Sequence, residues 1–487
     1  MNSPADESLR LLVRELCDAL GKARVITEPD ALEKYRVEER SLYRGASRVV
    51  VVPTTVEDVA TAVRLCAARG VAVVAQGGNT GLVGGAVAGA GEVVLSLEKL
   101  NRIRELDPVN YTVTVEAGCV LASLQDAAAQ AGCLFPLSLG AEGSCTIGGN
   151  IASNAGGVNV LKYGNTRDLV LGLEVVLADG RIWNGLRALH KDNSGYSTKN
   201  LFIGSEGTLG IVTAATLKLF PKPEQSATAF CALASPDAAL KLLSLARRRS
   251  GDHVSAFELI SDFALGIVCR HSGGENPLDG EHPWYALIEL TTPRPGSDLG
   301  ETLEGFLAEA FEADMIVDAV VASSVEQATR LWQLRERIPE AQKRAGGSIK
   351  HDISVPVSRV PAFIAEASAA VAARLPGVHV CAFGHVGDGN VHYNLTQPDG
   401  MDKQAFLDLW GDMNDIVHAI AAGMGGSISA EHGIGLLKVE EIAHFRTDVE
   451  TDLMRAIKRA FDPRGLMNPG KMIAGAYETK EETAEAG

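Results

Sequence analysis

Two short stretches in the C-terminal half carry the side chains best suited to chemistry. Phe383-Gly-His-Val-Gly-Asp-Gly-Asn-Val-His-Tyr-Asn394 sets two imidazoles, His385 and His392, on either side of an Asp-Gly-Asn turn signal. The turn predicts a hairpin with the histidines on paired strands. The period of two along a strand then puts His392 and Asn394 on one face. Further on, Ser429-Ala-Glu-His-Gly-Ile-Gly435 places a carboxylate, Glu431, beside a third imidazole, His432. Two histidines and a glutamate form a ligand set for an open divalent site with room for a substrate oxygen. Spacing alone leaves His379 and Asp388 as alternative ligands, does not bring Glu431 to the hairpin, and allows these histidines to be satisfied core residues.

The N-terminal half offers chemistry of another kind. Gln76-Gly-Gly-Asn-Thr-Gly-Leu-Val-Gly-Gly85 has five glycines in ten residues and follows the apolar run Val71–Ala75. Gly143-Ser-Cys-Thr-Ile-Gly-Gly-Asn-Ile-Ala-Ser-Asn-Ala-Gly-Gly157 mixes glycine with hydroxyl and amide side chains, and Gly204-Ser-Glu-Gly-Thr-Leu-Gly-Ile-Val212 adds a third loop. Glycines let backbone N–H groups converge on anionic oxygens without interference from a Cβ. Three such loops suit a large ligand such as a dinucleotide, held mostly by backbone. The bias is concentrated: residues 70–210 hold 24 of the 51 glycines and residues 377–435 hold 11, which points to two places where backbone approaches something closely. No G-x-G-x-x-G occurs. The P-loop-like Gly465-x4-Gly470-Lys471 fails because Met472 stands where a hydroxyl must hold magnesium, and because it follows a helix.

The elements expected to position these loops alternate. Residues 1–44 read as a helical segment, with Leu9, Leu12, Val13, Leu16 and Leu20 at helical spacing. Arg48–Val52 reads as a strand. A helix opening on a Thr55/Asp58 capping box and running to Ala68 follows, then a strand at Val71–Ala75, a βαβ arrangement. Further strands are predicted at Val93–Leu97, Tyr111–Glu116, Leu169–Leu177 and Ile211–Leu219. Pro221 and Pro223 close this region. Beyond them, helices at Ala238–Arg248, Thr302–Phe311 and Val360–Leu375 alternate with strands such as Trp284–Leu290, a second α/β domain. A last helix, Thr451–Phe461, precedes an acidic tail.

Composition removes several classes of function. A balance of 45 basic and 61 acidic residues leaves a net charge of −16, which disfavours binding to a phosphate backbone. No apolar run reaches membrane-spanning length, and the N-terminus lacks signal- or transit-peptide character. The eight cysteines form no C-x-x-C pair and read as free thiols of a reducing compartment, so a cytoplasmic protein without an iron–sulfur relay is expected.

Taken in order, P-T-T-V-E-D-V, Q-G-G-N-T-G-L, T-I-G-G-N-I-A-S-N-A-G-G and G-S-E-G-T-L-G-I-V-T resemble the FAD-binding domain of the vanillyl-alcohol oxidase/p-cresol methylhydroxylase flavoproteins over about residues 45–222. The resemblance implies FAD with its pyrophosphate on Gly77, Gly78, Asn79, Thr80, Gly81 and Leu82. It implies a flavin lined by Gly143, Ser144, Thr146, Gly149, Asn150, Ser153 and Gly157, with Ile211 and Val212 near the adenine half and Asn468 as a further contact. Asn79 stands where covalent members carry a histidine, so dissociable, non-covalent FAD is expected.

The later motifs G-H-V-G-D-G-N-V-H-Y-N, S-A-E-H-G-I-G and F-D-P-R-G-L-M-N-P-G-K resemble the C-terminal half of FAD-linked D-2-hydroxy acid dehydrogenases, nearest the subgroup acting on D-2-hydroxyglutarate. This resemblance implies an α+β protein with five parts. An N-terminal segment (1–44) precedes a two-subdomain FAD-binding domain of the p-cresol methylhydroxylase type (45–222) and an α/β substrate or cap domain with a metal-binding hairpin (223–430). A C-terminal helical segment returns to the FAD domain (431–475), and a disordered tail ends the chain (476–487). It also implies zinc, or else manganese or cobalt, on His385, His392 and Glu431, with His432 as general base. Arg335 would hold a substrate carboxylate, and Lys350 and Asn394 would make further substrate contacts. Pro339 departs from the animal members, which carry a threonine there. The expected reaction takes a D-2-hydroxy acid to the 2-oxo acid and passes electrons to an external acceptor, an electron-transfer flavoprotein or a quinone. A D-lactate or glycolate dehydrogenase and a non-catalytic flavin- or metal-binding subunit are the alternatives. A homodimer is allowed for.

Overall fold

In the computed structural model, residues 4–475 are described, so the tail expected to be disordered lies outside the described residues. Among the described residues three large β-sheets organise the chain, beside a two-stranded pair of Cys133–Leu134 and Phe220–Pro221. The first is built from very apolar short strands in the order Val25–Ile26, Val49–Val51, Val93–Ser96, Val73–Gln76, the last three parallel. Strands buried on both faces read as unbroken Val/Leu runs, and these do. The helix Val56–Ala68 covers this sheet. It starts at the predicted capping box, in which Thr55 Oγ1 accepts from Asp58 N and the Asp58 carboxylate accepts from Thr55 N.

The N-terminal segment differs from its helical expectation. Pro4–Leu20 is a helix, and Leu9, Leu12, Leu16 and Leu20 bury against Val59, Ala62 and Val63. Residues 25–26 then leave helical conformation and add an antiparallel edge strand to the first sheet, ahead of a second helix at Pro29–Arg36. Gly21 at φ 90° breaks the pattern, because a side chain there would be strained. The segment is thus part of the first layer, not a separate appendage.

The second sheet is antiparallel, in the order Ile103–Asp107, Thr112–Glu116, Ile211–Lys218, Val170–Val176, Ile182–Gly185. The third lies wholly within residues 225–396. Its strands run Asp318–Val321, Gln225–Leu233, Trp284–Thr292, Val254–Ser261, His379–His385, Asn390–Thr396 and Ser348–Ile349, and Asp352–Ser354 continues the last edge. All its pairs are antiparallel. Phe257, Ile288 and Tyr393 bury on one face under a layer of helices; Phe230, Ile260 and Phe383 bury on the other.

The last segment returns to the first layer, as expected. Met467 bridges Val73, and Lys458 Nζ donates to the carbonyls of Thr208 and Met467 at 2.7 and 2.8 Å. All eight cysteines are free thiols. Among the described residues no helix is long and apolar enough to cross a membrane.

Candidate active site

A cavity of about 980 Å³ opens where the three sheets meet, a volume suited to a large ligand. One wall is the glycine loop that leaves Val73–Gln76, and Gly77, Gly78, Asn79, Thr80, Gly81 and Leu82 all line it. Its glycines are required by packing. A Cβ on Gly78 would stand 2.1 Å from Ser144 O, and one on Gly77 would stand 2.3 Å from Thr146 Oγ1. The second glycine loop therefore presses directly on the first. From it Ser144, Thr146, Gly149, Asn150 and Ser153 line the cavity, as do Ile211 and Val212. Thr146 Oγ1 is buried with no protein partner, a hydroxyl left for a ligand.

Three expected contacts lie elsewhere. Gly143 and Gly157 stand behind the lining; Gly157, at φ 124°, packs where a Cβ would strike Ser138 O at 1.9 Å. Asn468 holds loops together by donating to Gly85 O and Glu206 O at 3.0 and 2.6 Å. Asn79, also at positive φ, donates to Val37 O at 2.7 Å.

Opposite, behind the lining residues Glu431 and His432, runs a polar strip on the third sheet. His385 pairs with Glu258 across the strands, and His392 pairs with both Phe383 and Asp352. Residues opposed in an antiparallel pair share a face, so Glu258, His385, His392 and Asp352 all project to one side. Glu431 completes the group from its loop. Its carboxylate oxygens lie 3.9 Å from His385 Nε2 and 3.8 Å from His392 Nε2. A second cluster, Asp352, His392 and His432, shares His392. Asp352 is already committed, however. It accepts from Glu431 N, His432 N and Asn390 Nδ2 at 2.9, 2.8 and 3.0 Å, leaving His385, His392 and Glu431 with the open lone pairs.

The two alternative ligands fall away. His379 sits at the far end of its strand, stacked on Phe263 and 3.3 Å from Asp399. Asp388 stays in the turn and belongs to neither cluster.

Two carboxylates outside the expected site set the electrostatics. Glu258 is fully buried; its Oε2 accepts from Arg335 Nε at 2.5 Å and its Oε1 bonds His385 Nδ1. Burial alone would raise Glu258, but His385 and Arg335 outweigh it and hold the carboxyl at about 2. Burial likewise disfavours charge on His385, yet Glu258 prevails and lifts it to about 9 in the absence of an ion. The same bond aims Nε2 at Glu431, the arrangement by which a carboxylate orients a metal-binding histidine. Asp352 lies 3.5 Å from His432 Nδ1; despite burial, His432, His392 and Lys438 keep it well below the carboxylate range. Burial takes His432 down to about 4, against the pull of Asp352, so its imidazole is neutral at pH 7. Burial also raises Glu431, to about 7.

Glu431 and His432 face the cavity, whereas His385, His392, Arg335 and Asn394 stand behind its lining. Arg335 lies over the Phe383 ring, 4.7 Å from its centroid. Asn394 is turned away from the expected contact: it donates to Gln342 Oε1 and accepts from His351 N. Lys350 does line the cavity. The two walls touch, since a Cβ on Gly156 would meet Glu431 Oε1 at 2.9 Å. Glu206 ties them further, its carboxylate accepting from Ile434 N and Gly435 N at 2.7 and 2.8 Å. Glu258 and Asp352 do carry a signal in the sequence. Each is the one charged residue of a strand otherwise made of apolar residues and serine, Val254–Ser261 and Asp352–Ser354.

Similarity to known proteins identifies the family. Residues 47–185 match the model described as FAD binding domain, and residues 222–472 match that described as FAD linked oxidases, C-terminal domain. The chain is 40% identical over 451 residues to the mitochondrial D-2-hydroxyglutarate dehydrogenase of Bos taurus, covering 92% of this chain and 81% of that protein. It is 41% identical over 465 residues to the D-2-hydroxyglutarate dehydrogenase of Xanthomonas citri pv. viticola, covering 95% and 96%. Among solved structures, p-cresol methylhydroxylase with substrate bound matches with a TM-score of 0.76 at 18% identity over 96% of each chain. A 4-ethylphenol oxidase from Gulosibacter chungangensis matches at 0.71 and 19% identity, over 96% of this chain and 97% of that one. These structural likenesses establish the expected fold. The chain belongs to the FAD-linked oxidases, in the D-2-hydroxyglutarate dehydrogenase family, and is an FAD-dependent oxidoreductase of CH–OH donors.

Proposed function

We propose that the protein oxidises D-2-hydroxyglutarate to 2-oxoglutarate with non-covalent FAD and a divalent cation, most simply zinc, on His385, His392 and Glu431. The observation that carries this reading is the convergence of those three side chains beside a neutral His432, at the edge of a glycine-built cavity. The donor set suits the ion. Ligands of a tetrahedral ion would stand about 3.3 Å apart, so the two Glu431–histidine distances would need to shorten by about half an ångström. FAD supplies a two-electron acceptor for the hydride of the α-carbon, and the cation supplies positive charge against a developing alkoxide. The chain's own part is to position groups and move a proton. His432 takes the hydroxyl proton, with Asp352 behind its ring to orient it and balance the charge that results. Arg335, its Nε spent on Glu258, keeps its terminal nitrogens for a substrate carboxylate. Asn79 carries no nucleophile for a flavin bond, which supports a dissociable cofactor. Electrons then leave to an external acceptor, an electron-transfer flavoprotein or a quinone.

A D-lactate or glycolate dehydrogenase is the second reading, favoured by Pro339, which lines the cavity without a donor to offer. Anaerobic bleaching of the flavin and kcat/KM across a 2-hydroxy acid panel, with and without chelator, test both. D-2-hydroxyglutarate is expected to be the best substrate. Faster turnover of D-lactate would replace the first reading with the second, and no bleaching by any 2-hydroxy acid would remove both.

A further inference from the structure

The N-terminal segment brings into the cavity a cation that none of the roles above uses. Arg40 follows the helix Pro29–Arg36 in a turn pinned by Glu38, whose Oε2 accepts from Arg40 N and Leu42 N at 3.0 and 3.2 Å. The Arg40 side chain lines the cavity, yet among the described residues no hydrogen bond or ion pair forms to its guanidinium. Lys350 and Lys343 line the same cavity and are equally without such partners. The three are neighbours: burial first, then Arg40 and Lys343, bring the Lys350 ammonium down to about 8. Arg40 also acts on His432 and Asp352, which brings its charge to the proton-transfer end, while its segment touches the first glycine loop where Asn79 donates to Val37 O. The facing carboxylates, Glu38 and Asp352, favour its charge, but neither forms an ion pair with it. Glu38 Oε2 is occupied by two main-chain donors, and Asp352 by Glu431, His432 and Asn390.

Like charges gathered with no carboxylate paired to any of them in a half-buried pocket oppose folding, and they suit a ligand that brings a carboxylate of its own. One carboxylate of a 2-hydroxy acid is claimed by the cation site and Arg335. Pro339 contributes no hydrogen bond, while Lys343, one turn later on the same helix, adds a charge. We propose that Arg40, with Lys350 beside it, binds a second, distal carboxylate and so selects 2-hydroxy dicarboxylates over monocarboxylates. This rests on reading the cavity as a 2-hydroxy acid site. Arg40 brings a planar fork of donors, and its position ties substrate choice to the N-terminal segment, which precedes both matched family regions.

The test compares D-2-hydroxyglutarate with D-2-hydroxypentanoate, of equal chain length with a methyl in place of the distal carboxylate. In the full-length holoenzyme, Arg40→Ala is expected to lower kcat/KM for the dicarboxylate about 10- to 100-fold. That loss should exceed the loss on the monocarboxylate at least about tenfold, with Arg40→Lys recovering part of it. Titration with glutarate, followed by perturbation of the oxidised flavin spectrum, should show weakened binding in Arg40→Ala. Equal losses on the two substrates, or loss of bound FAD, would overturn the role of Arg40 alone. A wild type that prefers D-2-hydroxypentanoate or D-lactate would overturn the proposed substrate and this inference together.

Discussion

The two walls of the cavity are made from different material. On the first two sheets the wall is backbone: glycines let two loops approach until Gly77 and Gly78 touch Thr146 and Ser144, leaving the Thr146 hydroxyl without a protein partner. On the third sheet it is side chain: a strip of buried acids and imidazoles runs across four strands, each charge balanced by the next. The backbone wall needs small residues and tolerates little added volume. The side-chain wall needs exact charge balance, because an unpaired ion there faces a low dielectric. A large cofactor with delocalised contacts suits the first, and proton movement at one atom suits the second.

That contrast can be broken at either wall. The largest effect is expected from His432→Ala, which should cut kcat by about 10³-fold while FAD stays bound. Anaerobic flavin reduction and the absorbance of the isolated protein measure the two halves separately. Gly78→Ala should do the reverse. Its Cβ would lie 2.1 Å from a carbonyl oxygen, and a fluorescence titration should show FAD affinity down about 100-fold, with metal content retained. Glu258→Gln loses the charge that both Arg335 and His385 lean on, so metal affinity should fall about 10- to 100-fold, with KM rising. Metal analysis after dialysis against chelator checks the first, and saturation kinetics the second. Retained FAD in this variant would sharpen the separation of the walls; lost FAD would break it. The smallest effect is on pH dependence. Neutral imidazole is the active form of His432, so kcat/KM should fall as pH drops through about 4, below the ordinary imidazole value of about 6.5. An acid limb near 6.5 would show that burial does not control this base.

Legibility followed the same division. The hairpin bearing His385 and His392 was readable from Asp388-Gly-Asn390, and the capping box from Thr55 and Asp58, since both are local patterns. The strand at Val25–Ile26 was not readable, because two apolar residues join a sheet only when a partner is offered, here Val50 and Val51. Asn394 shares a face with His392 as its alternation requires, but Gln342 and His351 claim its amide, which no spacing on its own strand reveals.

By itself the sequence determined the backbone wall, because contiguous glycines shape a loop through their own φ and ψ and their own lack of a Cβ. It also supplied the ligand types, two imidazoles and a carboxylate. Only the tertiary structure decided the side-chain wall. Glu258 reaches His385 across 127 positions, and Asp352 reaches the N–H of His432 across 80. Such meetings are set by strand register and by the return of the C-terminal segment. A one-residue slip in register would turn each of these groups to the other face of the sheet, where apolar side chains could not satisfy their charge.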